Sequence, residues 1–211
     1  MLRREGGKVI WFGKLENMNP PDASSAAAQL CAQCGLCCNG VMFHTVQLQP
    51  EDSAKELAAL GLKLKRKQGR QFILQPCPAF QNSQCSIYAA RPERCGRFEC
   101  QQLKRVAAGA ITEMMALEKI HTAQRRVAQI NELLQRAGKT NFKHPLSKRC
   151  EKALAEPIEL SANAEAMALR RQLTQTMQEL NVLLNDDFRI VPGVVSAAPD
   201  AAAAEPAQLH V

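Results

Sequence analysis

Four cysteines fall within eight residues, Cys31, Cys34, Cys37 and Cys38, in the order C-x-x-C-x-x-C-C, and four more follow at Cys77, Cys85, Cys95 and Cys100. Thiols this dense are used either as disulfide staples or as metal ligands. The start of the chain decides between them. Met1–Pro21 is charged and interrupted by Gly6, Gly7, Gly13, Pro20 and Pro21, with no apolar run of the kind that forms a signal-peptide core. The expectation is a cytoplasmic chain in a reducing compartment, where structural disulfides are rare and clustered thiols serve as thiolate ligands.

A C-x-x-C pair places two sulfurs within tetrahedral reach of one metal. A single pair would equally suit a redox dithiol, but no thioredoxin-like strand–C-x-x-C–helix pattern surrounds this one. The candidate ligands are Cys31, Cys34, Cys37, Cys38, Cys77, Cys85, Cys95 and Cys100. Eight sulfurs permit two four-cysteine zinc sites, one four-iron cluster plus one zinc, or one centre with spare thiols. Cys37 and Cys38 are adjacent, so their side chains diverge in most backbone conformations; they reach two centres, or one stands behind the ligands. Gly35 and Gly40 let the backbone turn tightly there. His44 is a minor alternative ligand, and Cys150, in Lys148-Arg149-Cys150, reads as a bystander.

Charge is uneven. Residues 1–150 carry 23 Lys and Arg against 11 Asp and Glu, a formal +12, and residues 151–211 carry 4 against 9, or −5. Such asymmetry invites a nucleic-acid partner, but bound thiolates would bring negative charge that basic neighbours offset, so nucleic acid is not the favoured partner. With one Trp, one Tyr and seven Phe, the first half has a thin core that metal ligation compensates. No stretch approaches the length of a transmembrane span, and no membrane partner is expected.

The pattern predicts an α+β chain: a small loop-rich, metal-binding cysteine domain with short strands, followed by an antiparallel helical hairpin. The boundaries expected are a flexible segment over 1–25, with Val9-Ile10-Trp11-Phe12 as an apolar island and 17–25 as linker, a cysteine domain over 26–102, a helical region over 103–190, and a disordered tail over 191–211. Val41–Leu48 reads as a short strand, and Pro50-Glu51-Asp52 opens a helix that stops at Gly61. Lys63–Lys67 and Arg70–Leu74 flank Gln68-Gly69 as a hairpin. Its basic run Lys65-Arg66-Lys67 is most simply a solvated turn, with phosphate contact as the sharper reading. Leu103, Val106, Ala110, Met114, Leu117, Ile120, Val127, Ile130 and Leu134 mark one long helix or two successive ones, and Ala166, Leu169, Leu173, Met177, Leu180 and Leu184 another. The methionines are read as core fillers.

The cysteine pattern resembles the YkgJ-like "CxxCxxCC" cysteine-cluster family, zinc- or iron-chelating domains. The matching pieces are Cys31-Ala-Gln-Cys34-Gly35-Leu-Cys37-Cys38, Cys77 between prolines, Cys85-Ser86-Ile87-Tyr88 followed by Arg91-Pro92, and Cys95-Gly-Arg97-Phe98, covering roughly residues 30–105. The family often has Arg directly after the third-segment cysteine, where this chain has Gly96. Beside that resemblance, Arg91 and Arg97 are candidates to neutralise thiolate charge at the cofactor, and Tyr88 and Phe98 to cover it.

The resemblance implies metal chelation; the expected function is a metal-binding protein holding zinc or an iron–sulfur cluster, with helices that the family motif does not explain serving assembly, as a homo-oligomer, or a protein partner. One alternative is an iron–sulfur-dependent redox or protein-modifying enzyme, although neither a C-x3-C-x2-C spacing nor a glycine-rich cofactor motif is present. Another is a zinc-ribbon-like nucleic-acid or ribosome binder, which requires Lys63, Lys65, Arg66, Lys67 and Arg70 on one broad positive face.

Overall fold

A computed structural model describes residues 23–157 and 164–190. The expectations for the apolar island at 9–12, most of the flexible segment and linker, and the tail from 191 lie outside the described residues. Ala23–Ser25, expected as the end of the linker, instead begin helix α1 (Ala23–Cys34).

The described residues are α+β, as expected. After α1 come strand β1 (Thr45–Gln47), α2 (Ala54–Ala59), β2 (Leu64–Lys67), β3 (Arg70–Leu74), β4 (Phe80–Gln81), β5 (Gln84–Cys85), a 3-10 turn at Tyr88–Ala90, α3 (Glu93–Arg97), α4 (Gln101–Ala107), α5 (Glu113–Arg136), α6 (Leu146–Ala155) and α7 (Ala164–Asp187).

The predicted hairpin forms. Gln68 and Gly69 both take positive φ, 48° and 74°, the handedness that closes a two-residue hairpin in step with strand twist. Lys67 faces Arg70 and Leu64 faces Ile73 across it. The expected strand at 41–48 shrinks to β1, which pairs antiparallel with β3 to give the order β1-β3-β2. Only one face of this sheet is dry: Ile73, with Leu48, Leu57 and Leu62, forms a small core that Val46, Leu64 and Cys77 join. The helix expected from Pro50 starts later, because the Ser53 hydroxyl accepts the Glu56 N–H as its N-cap.

The larger core is helical. α5 and α7 run antiparallel, as the ion pairs Lys119–Asp187, Arg126–Glu179 and Arg136–Glu165 along their length require. Ile120, Ile130, Leu134, Leu173, Leu180 and Leu184 are buried between them. Leu30, Leu36, Val41 and Met42 from the cysteine-rich segment belong to the same apolar cluster. The hairpin is not simple, because α6 packs Leu146 and Cys150 into this core.

The 103–134 stripe takes the second of its two expected forms, two successive helices, since Gly109 follows α4 at positive φ and Thr112 caps α5 through the Met115 N–H. Ala110 thus leaves the helix, and Met114 and Met115 occupy the exposed first turn of α5. With Met167 they are solvent-facing rather than core fillers, while Met42 is buried and Met177 packs against the core.

The end of α7 is lashed to α4 and α5. Asp187 is buried and pairs with Arg105 at 3.1 Å and Lys119 at 2.9 Å. The Gln102 side-chain amide donates to the Asp187 carbonyl at 2.7 Å and that of Gln101 to the Arg189 carbonyl at 2.6 Å. Among the described residues no helix is long and apolar enough to cross a membrane.

Candidate metal centre

All nine cysteines are free thiols. Cys31 and Cys34 occupy the last turn of α1, where residues three apart share a face. The Gln124 side chain of α5 donates to the Gln33 and Cys34 carbonyls at 2.7 and 3.0 Å, so the long helix fixes where α1 ends. Gly35 leaves the helix at φ +67°, and a methyl group there would meet the Phe80 ring. Its carbonyl accepts the Cys38 and Asn39 amides, both at 2.9 Å, which closes the turn carrying Cys37 and Cys38.

The second run of cysteines is drawn onto that turn by backbone bonds. The Cys77 N–H donates to the Cys38 carbonyl at 2.8 Å. The tight turn at Asn82 and Ser83, both at positive φ, pairs Cys85 with Phe80. Asp52 accepts the Gln49 N–H at 2.8 Å and the Glu93 N–H at 2.9 Å, anchoring the first residue of α3, which carries Cys95. Cys100 stands at the N-terminal end of α4, with the Leu103 and Gln102 amides opposing its sulfur, though not in cap hydrogen-bond geometry.

The electrostatic neighbours of each thiol sort into two sets. Cys31 and Cys34 each feel Cys100, and Cys37 feels Cys34, Cys100, Cys38 and Cys31. Cys38 feels Cys77, Cys85 and Cys95 ahead of Cys31, Cys95 feels Cys77 and Cys85, and Cys77 feels Cys85. One neighbourhood is therefore Cys31, Cys34, Cys37 and Cys100, the other Cys38, Cys77, Cys85 and Cys95. Cys37 and Cys38 fall on opposite sides of the division. Among the described residues no three His, Cys, Asp or Glu side chains form a ready-made ligand cage, so these are neighbourhoods and not closed coordination spheres.

Burial is the largest influence on Cys34, Cys37, Cys38 and Cys95, and neighbouring sulfurs add to it. Cys34 and Cys38 are pushed up to about 12, Cys95 to about 11, and Cys37 well above the ordinary 9.0. The Leu36 amide opposes the shift at Cys34, and the Ala79 amide at Cys77. Arg91 is the cation that opposes it, at both Cys31 and Cys95. Its guanidinium lies over the Tyr88 ring, 4.1 Å from the centroid. By its chemistry this donor set suits a thiophilic cation, with thiols, amides aimed at several of them and one guanidinium acting on a sulfur of each set, while no three of the described side chains stand ready to share an ion.

Other candidates sit elsewhere. Arg97, expected beside the sulfurs, points to solvent and pairs with Glu93 at 2.6 Å. Phe98 packs edge-on to Phe43 at 5.1 Å and against the helical core, while Tyr88 is exposed. His44 contacts the Ser147 hydroxyl at 2.6 Å, and His121 and His144 are exposed. Cys150 is buried in the helical core, and its charged influences are Arg149 and Glu151 with no other cysteine among them. Two surface clefts, of about 380 and 650 Å³, are lined by α5 and α7 residues and by no cysteine. The sequence offered no signal for Gln124 or Asp52, because both act on segments remote in the chain.

Residues 30–125 match the family model CxxCxxCC, described as "Putative zinc- or iron-chelating domain". That segment is similar to this cysteine-cluster family, as its motifs indicated. No curated protein and no solved structure matches it.

Proposed function

We propose that the protein is a cytoplasmic metal-binding protein whose eight clustered cysteines hold two all-thiolate centres. Cys31, Cys34, Cys37 and Cys100 supply one, and Cys38, Cys77, Cys85 and Cys95 the other. The observation that carries this reading is the division of eight thiols into two neighbourhoods of four, split between adjacent residues. Four protein sulfurs leave a metal no open position, the pattern of a structural rather than a catalytic zinc site. All-sulfur ligation suits zinc or iron–sulfur equally. Arg91 acts on one sulfur of each set, Cys31 and Cys95, and offsets negative charge there.

Bound metal fastens a segment with little regular structure onto the helical core, so ligation contributes folding free energy. Nine free thiols accord with a reducing compartment. The test is anaerobic purification with metal and sulfide analysis. About two zinc per chain in a colourless protein, or about eight iron with matching acid-labile sulfide in a brown one, is expected. A single metal equivalent retained by a fully reduced, folded chain would overturn the two-centre assignment.

A further inference from the structure

Among the described residues, the sheet β1-β3-β2 has a second face that neither hydrophobic core covers. Residues opposite one another in an antiparallel ladder share a face, and neighbours along a strand alternate. Ile73, with its partners Val46 and Leu64, points into the small core. Phe72 must then point outward with its partners Gln47 and Lys65, and so must Arg70 with Lys67. The Leu74 N–H donates to the Lys63 carbonyl, which extends the ladder and adds Lys63 to that face.

Phe72 is only half-buried, and neither hydrophobic cluster includes it. Lys63, Lys65, Lys67 and Arg70 around it are exposed, and among the described residues none of the four pairs with a carboxylate. Arg66 faces the other way, opposite Gln71. Lysine on the edge strand β2 would discourage strand-to-strand aggregation, but that does not account for Arg70 on the central strand or an aromatic ring left outside the core.

We propose that this outward face binds single-stranded nucleic acid, with Lys63, Lys65 and Lys67 along one strand and Arg70 across from Lys67 on its backbone phosphates, and an unpaired base on Phe72. Alternate residues of a strand recur every ~6.7 Å, comparable with the step between phosphates of an extended single strand. An aromatic ring set among cations is the arrangement that takes a base by stacking while the backbone is held by charge. A duplex keeps its bases from such a ring, so the face selects the single strand over the double. No feature here reads a ribose hydroxyl, and RNA and DNA are bound alike.

The test is fluorescence anisotropy of the metal-loaded full chain with a labelled oligo-uridine, the oligo-deoxythymidine of equal length, and a duplex, across a salt series. Four phosphate contacts give a log–log salt slope of about −3 for the single strands. The Lys65→Gln/Lys67→Gln/Arg70→Gln variant brings that slope to about −0.7. Phe72→Ala weakens binding by about 5- to 150-fold with the slope unchanged. Arg66→Gln costs less than Lys65→Gln alone. Unchanged metal content and circular dichroism show that the exposed variants remain folded. Absence of single-strand binding, equal affinity for the duplex, equal losses from Arg66→Gln and Lys65→Gln, or displacement by polyglutamate at matched charge would each overturn the proposal, the last in favour of an acidic protein partner.

Discussion

Replacing Cys37 or Cys38 separately tests whether two adjacent sulfurs belong to different centres. Cys38 and Cys34 are held near 12 and Cys95 near 11 in the absence of metal. At pH 7 a thiol with a pKa near 12 is ionised to only about one part in 10⁵. Each of these sulfurs must therefore release essentially a whole proton on binding a cation, about four per four-sulfur centre and about eight in all. The apo chain is titrated with zinc in weak buffer at pH 7, and an indicator dye counts protons while a competing chelator counts metal. The unaltered chain should take up about two zinc and release about eight protons. Cys37→Ala and Cys38→Ala should each leave one tight site and release about four protons from it. The double variant should retain no tight site. If either single replacement abolishes both sites, or if the double behaves like a single, the assignment to separate centres is wrong.

Gly35→Ala, at positive φ and against the Phe80 ring, should cost more than ~1 kcal/mol from backbone strain alone. It should also weaken zinc retention at both centres in chelator competition, since the turn carries Cys37 and Cys38. Leu134→Ala, at a fully buried position, should destabilise the chain by about 2–5 kcal/mol in urea unfolding, with metal stoichiometry intact. Cys150→Ala should leave metal content unchanged, as a thiol outside both sets requires. Burial pushes the Cys150 thiol from 9.0 up to about 11, so the folded chain keeps a proton that the unfolded chain loses first. The stability tied to that proton is complete below pH 9.0 and disappears as pH rises through about 11. The alanine variant should therefore show a shallower fall in apo-protein stability over that interval.

The parts of the fold legible in the sequence are those set by neighbouring residues. The 64–74 hairpin follows from alternation around Gln68-Gly69, and α7 from a stripe at spacings of three and four. What escaped depends on contacts distant in the chain. Helix α6 does have a stripe, Leu146, Cys150, Ala153 and Leu154, directly after Pro145, yet Cys150 reads in the sequence as a bystander thiol and not as part of an apolar face. In the structure that proline is the N-cap of the helix, and Cys150 serves as a small apolar side chain. Cys31 and Cys34 were expected in a tight turn, and a helix places residues three apart on one face just as well. The divergence of Cys37 and Cys38 could be anticipated from adjacency alone. Which three thiols join each of them could not, because the backbone bond from Cys77 to Cys38 and the placing of Cys95 through Asp52 are set by tertiary structure.

The lashing of α7 to α4 limits how this molecule can be dissected. Excising residues up to Cys100 as a portable module would leave Leu30, Leu36, Val41 and Met42 facing water. A longer cut ending before α7 would strip the Gln102 amide of its acceptor and Arg105 and Lys119 of their shared carboxylate. The motif that looks most self-sufficient on paper is the portion least able to survive alone, and grafts or truncations should keep the chain through Arg189.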